Sequence, residues 1–453
     1  MLARAGALTL AALLLGGTPA SAQVDIIFNR TGSGARAAGM ANAFIAISDD
    51  GTAASWNPAG LGQLRKPELS LVSTTSEVRH TAAGFRTRDD LSTFTPVEAS
   101  YRDTYPDFVS LAAPVTLWGK PVTFQAAWRR LYALNYRENV STTREPQVPE
   151  APPPLRIDSS VDLLGGVDLV SLAGAVKLTP RLALGGSFNL WRGDWTEEHF
   201  VGETLLAPPA PTSFATVTQS NRVRGENVSL GLMLTYPRWS IGLLHQGPLR
   251  SDFTGRVTTT TSEAAPPSPQ EAEGELLFPR SIGVGSAWRP APRWTVALDL
   301  TWDEWRQAVI DTTFTGRINL LDGLPQDRTS TRNTVTVNAG AEHLFVREGF
   351  VIPLRFGAAW EPQGWRSPYT RDTVDFVMLA LGTGYNTNSL KFDAGLQVRW
   401  ANYLTATTFG ISSAGALPEA VGERGTREWR LKLSVIVRLT DTDKLRDVVR
   451  KVF

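Results

Sequence analysis

The chain has 453 residues, with 45 basic and 44 acidic side chains, a net charge of +1 and no cysteine. That balance suggests neither nucleic acid nor an acidic surface as partner, and without thiols there are no disulfides, thiolate metal sites or lipid-anchored cysteine. Fourteen tryptophans are many for one chain, and no later run is apolar enough for a membrane helix, so a membrane location requires a closed barrel.

At the N-terminus, Arg4 precedes an apolar run from Leu8 to Leu15 and then Pro19-Ala20-Ser21-Ala22. A positive start, a short apolar core and a small-x-small ending predict a secretory signal peptide over residues 1–22. The next stretch resembles nothing else in the chain. It sets small residues close together (Gly34, Ala35, Ala37, Ala38, Gly39, Ala41, Ala43), then Asp49 and Asp50, then Asn57-Pro58-Ala59. Small side chains let backbone approach backbone, and Asn-Pro is a turn signal. Residues 23–66 are therefore expected to form a compact plug, with one short helix and a tight turn, lying inside something larger.

From residue 67 the pattern has a period of two. Trp294, Val296, Leu298, Leu300 and Trp302 share one face, and Thr295, Ala297, Asp299, Thr301 and Asp303 the other. Leu390, Phe392, Ala394, Leu396, Val398 and Trp400 oppose Lys391, Asp393, Gly395, Gln397, Arg399 and Ala401 in the same way. A helix would scatter both sets, so these are strands. Runs of about ten residues or more suit a tilted bilayer crossing.

Short connections recur at Leu117–Lys120, Thr179-Pro180, Pro237-Arg238, Arg289–Pro292, Arg347–Gly349 and Asn386–Asn388. Between them fall longer ones at 81–104, 139–156, 202–213, 262–272, 316–326 and 410–423, with a brief one near Ser367 and Pro368. Short turns alternating with long loops is the outer-membrane arrangement, and the strands between them number about fourteen. An all-β transmembrane antiparallel barrel over residues 67–439 is predicted. The aromatic girdles are expected at Trp118, Tyr236, Trp239, Trp288, Trp294 and Tyr385 near the short turns, and at Trp195, Trp302, Trp305, Trp365, Trp400 and Tyr403 toward the long loops. The tail, 440–453, carries Leu445, Val448, Val449 and Val452 at helical spacing and reads as a short periplasmic helix.

Arg36 and Gly39, the Asp49-Asp50 pair and the Asn57-Pro58-Ala59 triplet resemble the N-terminal hatch of the long-chain fatty-acid transporter (FadL-type) family of outer-membrane proteins. The segments Trp239–Pro248, Phe278–Trp305 and Leu354–Trp360 resemble family segments in the same order. The resemblance implies a fourteen-stranded barrel plugged by the hatch, in the bacterial outer membrane, that moves hydrophobic molecules. It makes Gly34, Arg36, Gly39, Asp49, Asp50, Asn57, Pro58 and Ala59 the hatch and gating positions. It also implies a hatch that shifts on ligand binding and a kink in the third strand that opens a lateral gap. The matching stretch here, Pro121–Arg137, contains no glycine.

Phe28, Phe44 and Trp56 are the hatch-side candidates for apolar ligand contact, with core packing equally well supported. Asp49 and Asp50 lack further convergent oxygens for calcium, so capping within the hatch is the better reading. The four histidines, His80, His199, His245 and His343, sit beside no glycine-framed serine, which argues against an esterase or protease. Neither cofactor nor metal is expected. The sequence thus predicts a monomeric channel for passive, ligand-gated uptake of fatty acids or hydrocarbons, in contact with outer-membrane lipid. The alternative is a non-transporting barrel that docks envelope or secretion components, and the apolar character of the lumen discriminates between them.

Overall fold

Alternation dictates the architecture, because a strand with one apolar and one polar face is stable in a membrane only when its ladder closes into a ring. The computed structural model describes residues 31–439, apart from 88–90, 118, 149–152, 209–211, 263–268, 314, 367–370 and 409–418. The predicted signal peptide and tail, together with Phe28 and Trp118, lie outside the described residues. Fourteen antiparallel crossings form the ring. We number them β1 (Glu68–Thr87), β2 (Val97–Leu117), β3 (Lys120–Ala133, resuming as Tyr136–Glu145), β4 (Leu155–Lys177), β5 (Leu182–Leu205), β6 (Thr212–Thr235) and β7 (Trp239–Gln246, resuming as Leu249–Thr261). They continue as β8 (Gln270–Phe278, resuming as Ser281–Trp288), β9 (Trp294–Asp303, resuming as Val309–Thr312), β10 (Thr334–Arg347), β11 (Phe350–Arg366), β12 (Thr373–Asn386), β13 (Leu390–Thr408) and β14 (Glu419–Arg438). β1 closes the ring, pairing with β14 from Glu68↔Arg438 to Thr87↔Ala420 and with β2 on its other edge.

The two faces separate as the alternation requires. On β9, Val296, Leu298 and Leu300 point outward and Asp299 is buried inside; on β13, Phe392 and Leu396 point outward and Asp393 and Gln397 inward. Tyr236, Trp239, Trp288, Trp294 and Tyr385 are exposed near the short turns, with Trp239 stacked on Trp288 and Phe350 on Tyr385.

The girdle toward the long loops needs correction. Trp305 is buried in a lumen cluster against which Trp195 also packs, and Trp365 and Tyr403 pack on an interior cluster with Phe376. Trp360 and Trp429 face outward at that level instead. The interrupted alternation near Trp305 hid this, because β9 breaks there into a turn of 3₁₀ helix, Trp305–Gln307, that rotates the ring inward.

Several strands run past the expected ends. β1 and β2 remain paired through Thr81↔Glu98 and Ala82↔Val97, inside the expected loop 81–104. Their outward residues there are polar, including an Arg79–Glu98 ion pair at 3.2 Å, so the apolar signal stops while the ladder continues into water. β10 instead starts seven residues later than the expected 327. The intervening chain forms a short strand, Gly316–Asn319, and a turn built on Asp322, whose Oδ2 accepts bonds from the Ser330 N–H at 2.7 Å and the Thr329 hydroxyl at 2.8 Å. Pro248 and Pro279 fall at the breaks in β7 and β8, where a missing N–H ends the ladder.

Because Leu298 faces lipid, Leu298→Lys should destabilise the barrel by about 2–4 kcal/mol in reversible unfolding from bilayers, whereas an exposed site on a soluble sheet would tolerate it.

Candidate functional site: the plug and the wall opening

Residues 31–64 fold as a string of tight turns, which their small side chains allow. The helix α1 (Ala35–Gly39) is followed by Ala41 and Asn42 at positive φ, then by 3₁₀ turns at Ala53–Ser55 and Pro58–Gln63. Asn57 caps the last of these, its Oδ1 accepting from the Ala59 N–H at 3.1 Å, with Pro58 at the first helical position where no donor is needed. Asp50 Oδ1 accepts from the Thr52 N–H at 2.9 Å and hydroxyl at 2.6 Å, a local bond within the hatch just before the Ala53–Ser55 turn.

This segment touches the wall on all sides, and a segment that touches every side of a closed ring lies within it. Glycines mark the contacts. A Cβ at Gly185 on β5 would lie 2.4 Å from the Ala59 nitrogen, at Gly231 on β6 2.1 Å from Asn57 Oδ1, and at Gly242 on β7 2.5 Å from the Ile45 oxygen. The same holds at Gly285 on β8 against Ile45, Gly340 and Gly357 on β10 and β11 against Met40, Gly382 on β12 against Gly39, and Gly395 on β13 against Ala35. Only hydrogen occupies so little space, so wall backbone and plug backbone meet directly. Gly283 on β8 meets the plug in the same way, a Cβ there lying 2.7 Å from the Ile45 side chain.

Polar wall side chains bind the plug between the glycines. Asp299 on β9 accepts from the Phe44 and Ile45 N–H groups at 2.6 and 2.7 Å. Asn338 and Gln397 donate to the Ala41 and Ala38 carbonyls, while Ser110 and Gln125 donate to that of Gly51. Asn57 Nδ2 donates both to Ile45 within the plug (3.1 Å) and to the Leu232 carbonyl on β6 (3.2 Å).

Arg36 adds charge. Its guanidinium meets Asp49 at 2.5 Å and both oxygens of Glu342 on β10 at 3.0 and 3.1 Å, and it lies over the Phe44 ring. Arg355 holds Glu342 from the other side at 2.6 Å and reaches Asp393 at 2.7 Å. Burial opposes charge on Arg36 and Asp49 alike, but their mutual attraction wins, holding the guanidinium well above and the carboxyl below their usual ranges. The structure thus brings Gly34, Arg36, Gly39, Asp49, Asp50, Asn57, Pro58 and Ala59 into one plug, answered by wall residues distant in sequence.

Of the apolar candidates, Phe44 is fully buried in the plug core, edge-on to Trp56 with ring centroids 5.8 Å apart. Trp56 donates its indole N–H to the Ser33 carbonyl at 2.7 Å and borders a cavity of about 60 Å³ with Ile45 and Leu244.

The wall breaks at the third strand, where the resemblance implied a kink although Pro121–Arg137 contains no glycine. The β2–β3 ladder ends at Phe108↔Arg129, although β2 continues to pair with β1 above that rung. β3 bulges between Arg130 and Tyr132, loses strand form at Leu134–Asn135, and resumes on β4 alone until Thr93–Phe94 meets its far end at Glu145 and Arg144. The kink needs no glycine on β3 because the neighbour supplies it. Gly165 on β4 has φ 132°, and a Cβ on it would lie 2.3 Å from the Asp194 carbonyl; a Cβ on Gly166 would meet the Tyr132 carbonyl at 2.5 Å. The Gly165 carbonyl accepts from the Leu134 N–H, and its N–H donates to Asn135 Oδ1. A cavity of about 140 Å³ fills the opening, bordered by Ser33, Tyr101, Asp107, Arg129, Tyr136 and Lys432 among others. Among the described residues only side chains span it, with Tyr101 against Tyr136 at 4.4 Å and Asn135 Nδ2 donating to Asp103 at 3.3 Å.

Above the plug the inner wall changes character. Tyr132, Leu163, Trp191, Phe253, Phe278 and Trp305 belong to one buried apolar cluster drawn from β3 through β9. It reaches the wall opening at Tyr132, Leu134 and Tyr136.

A fourteen-stranded barrel with an internal plug and polar-to-apolar lumen is the architecture of an outer-membrane transport protein. The chain belongs to the family described as Outer membrane protein transport protein (OMPP1/FadL/TodX), whose model matches residues 14–417. Membership places it in the outer membrane, in a family of channels rather than enzymes. No curated protein sequence matches it. Among solved structures it is similar to a Pseudomonas aeruginosa FadL homologue, at 13% identity and TM-score 0.63, covering 90% of this chain and 98% of that one. It is also similar to the Pseudomonas putida toluene transporter TodX (13% identity, TM-score 0.59, 91% and 100% covered). A third is the Ralstonia pickettii toluene transporter TbuX (15% identity, TM-score 0.53, 91% and 100% covered).

Two substitutions test the contact between plug and wall. Asn57→Ala should weaken the plug by about 0.5–1.5 kcal/mol for each lost bond, read as faster hydrogen exchange across residues 44–60 with exchange in β10–β13 unchanged. Gly242→Val should act more strongly, since the displaced atom is the Ile45 carbonyl and cannot rotate away.

Proposed function

We propose that the protein mediates passive, ligand-gated uptake of hydrophobic compounds, with residues 23–66 as the hatch and the opening between β2 and β3 as the exit into the membrane. The observation that carries this reading is the junction of the apolar lumen cluster with the wall opening at Tyr132 and Tyr136. Transfer of a solute into such a lining is favourable by about 0.8 kcal/mol per methylene, enough to concentrate it without an energy source. The lining side chains touch one another, so passage requires them to part. Ser33 in the hatch donates to Asp107 at 2.9 Å and Arg129 donates to the Thr31 carbonyl at 3.1 Å, on either side of the last β2–β3 rung. Movement of the hatch is thereby coupled to the edge of the opening.

Neutral hydrocarbons suit this site better than fatty acids. Around the opening Lys432 is held by Asp107, and Arg399 and Arg430 by Glu428, so a carboxylate head would have to displace an existing partner. The lining is rich in aromatic rings, which favour edge and face contacts with aromatic solutes. An apolar route of this kind supports transport over docking, for which an apolar lumen has no use.

The absence of native cysteine makes a direct test available. In the D103C/N135C variant, a short bifunctional thiol reagent should bridge β2 and β3 and stop toluene uptake into liposomes, while the unlinked variant transports. Undiminished uptake by the linked protein would reject lateral exit.

A further inference from the structure

Beyond the lumen, the outer face of β5–β7 carries an arrangement that transport does not use. Arg192 on β5 and Arg224 on β6 stand directly opposite each other in the ladder, and Arg250 on β7 lies on the diagonal, paired in register with Glu226. All three are exposed on the outward face. They share one depth: Arg192 lies 10 residues from the strand end Leu182, Arg224 lies 11 from Thr235, and Arg250 lies 11 from Trp239, all at short turns. About 9–11 residues carry a tilted strand across the bilayer. The residues below them, Leu184 and Phe188 on β5 and Val228 and Leu230 on β6, face lipid. The arginines therefore stand at the outer interface, with Glu226 two residues nearer the membrane centre than Arg224 and level with Arg250.

Like charges directly opposite each other on a sheet destabilise it, and more so beside a low-dielectric lipid layer. Two of the nearby acids are engaged by other arginines. Asp168, in register with Arg192, is held by Arg130 at 2.5 Å, and Asp194 is taken by Arg222 at 2.7 Å. Asp252 and Glu226 are in register with Arg224 and Arg250, yet among the described residues no hydrogen bond or ion pair engages any of the three arginines. Toward the long loops, an open groove of about 710 Å³ follows at once, bordered by the polar side chains Thr196, Ser220, Arg222, Arg256 and Glu271.

We propose that Arg192, Arg224 and Arg250 bind a phosphate of lipopolysaccharide in the outer leaflet, with its sugars along the polar groove. A phosphate accepts paired N–H bonds from two guanidinium groups at once, turning the repulsion into a bridge. Its acyl chains would lie on Phe188, Val228 and Leu230, which extend from the arginines toward the membrane centre. The site faces away from the lumen, so it is independent of the cargo.

Native mass spectrometry of the full-length protein tests it, with lipopolysaccharide bearing both lipid A phosphates and with the same glycolipid after dephosphorylation. The wild type should retain the phosphorylated form by roughly tenfold or more over the other. The variant R192Q/R224Q/R250Q should lose that preference while keeping the gel mobility of a folded barrel, and R192K/R224K/R250K should keep part of it. Should the glutamine variant fail to fold, R224Q alone, at the centre of the trio, gives the same ratio to compare. Equal retention of both lipids by the wild type, or an undiminished preference in a folded glutamine variant, would overturn the proposal.

Discussion

Contact between two backbones, plug against wall, is the constraint on which the remaining structure depends. At eight wall strands a glycine stands where a Cβ would lie within 2.9 Å of a plug atom. Such contact is impossible with ordinary side chains, and it explains the plug's own composition: alanine and glycine through Gly34–Ala43 are the other half of the same fit. Close approach strips water from both surfaces, so the exposed carbonyls and N–H groups of a segment with little regular structure need partners. Asp299, Asn338, Gln397, Ser110 and Gln125 are those partners, contributed by strands far apart in sequence.

The buried ions follow from the same geometry. A guanidinium inside a barrel is unfavourable unless it is fully engaged, and Arg36 is engaged by Asp49 from the plug and Glu342 from the wall. Removing either partner would leave charge without compensation, which ties the position of α1 to β10 and β11. The arrangement resists displacement of the plug from these strands. The exception is its start, where Thr31 and Ser33 reach across to β3 and β2 beside the wall opening.

Much of the barrel was legible because membrane strands carry their own label. Leu298 and Asp299 differ in burial so sharply that period-two alternation is visible from residues alone, and the short turns stand out between such runs. Legibility stopped where lipid stopped: Arg79 and Glu98 continue the sheet in water, where no apolar face is demanded, so strand looked like loop. Trp305 was misplaced because aromatic residues suit a girdle and a lumen core equally well, and only the 3₁₀ turn decides between them. The wall opening was implied by the resemblance but not by the residues of β3 themselves. Its glycines, Gly165 and Gly166, belong to β4, and no inspection of β3 alone reveals that its neighbour accommodates the kink. In the plug, Asn57 was legible as part of a turn, while its bond to Leu232 on β6 was not, being a contact across 175 residues.

A barrel sealed by backbone contact and buried ion pairs should be nearly impermeable to ions while remaining open to solutes that partition into its apolar lining. Ionic conductance of the intact protein in planar bilayers measures the seal most directly. The account predicts only rare, brief and small current steps, unchanged when a hydrophobic solute is added. A steady, voltage-tolerant conductance of the size shown by open water-filled porins would contradict it, since no plug seated on those glycines could leave such a path.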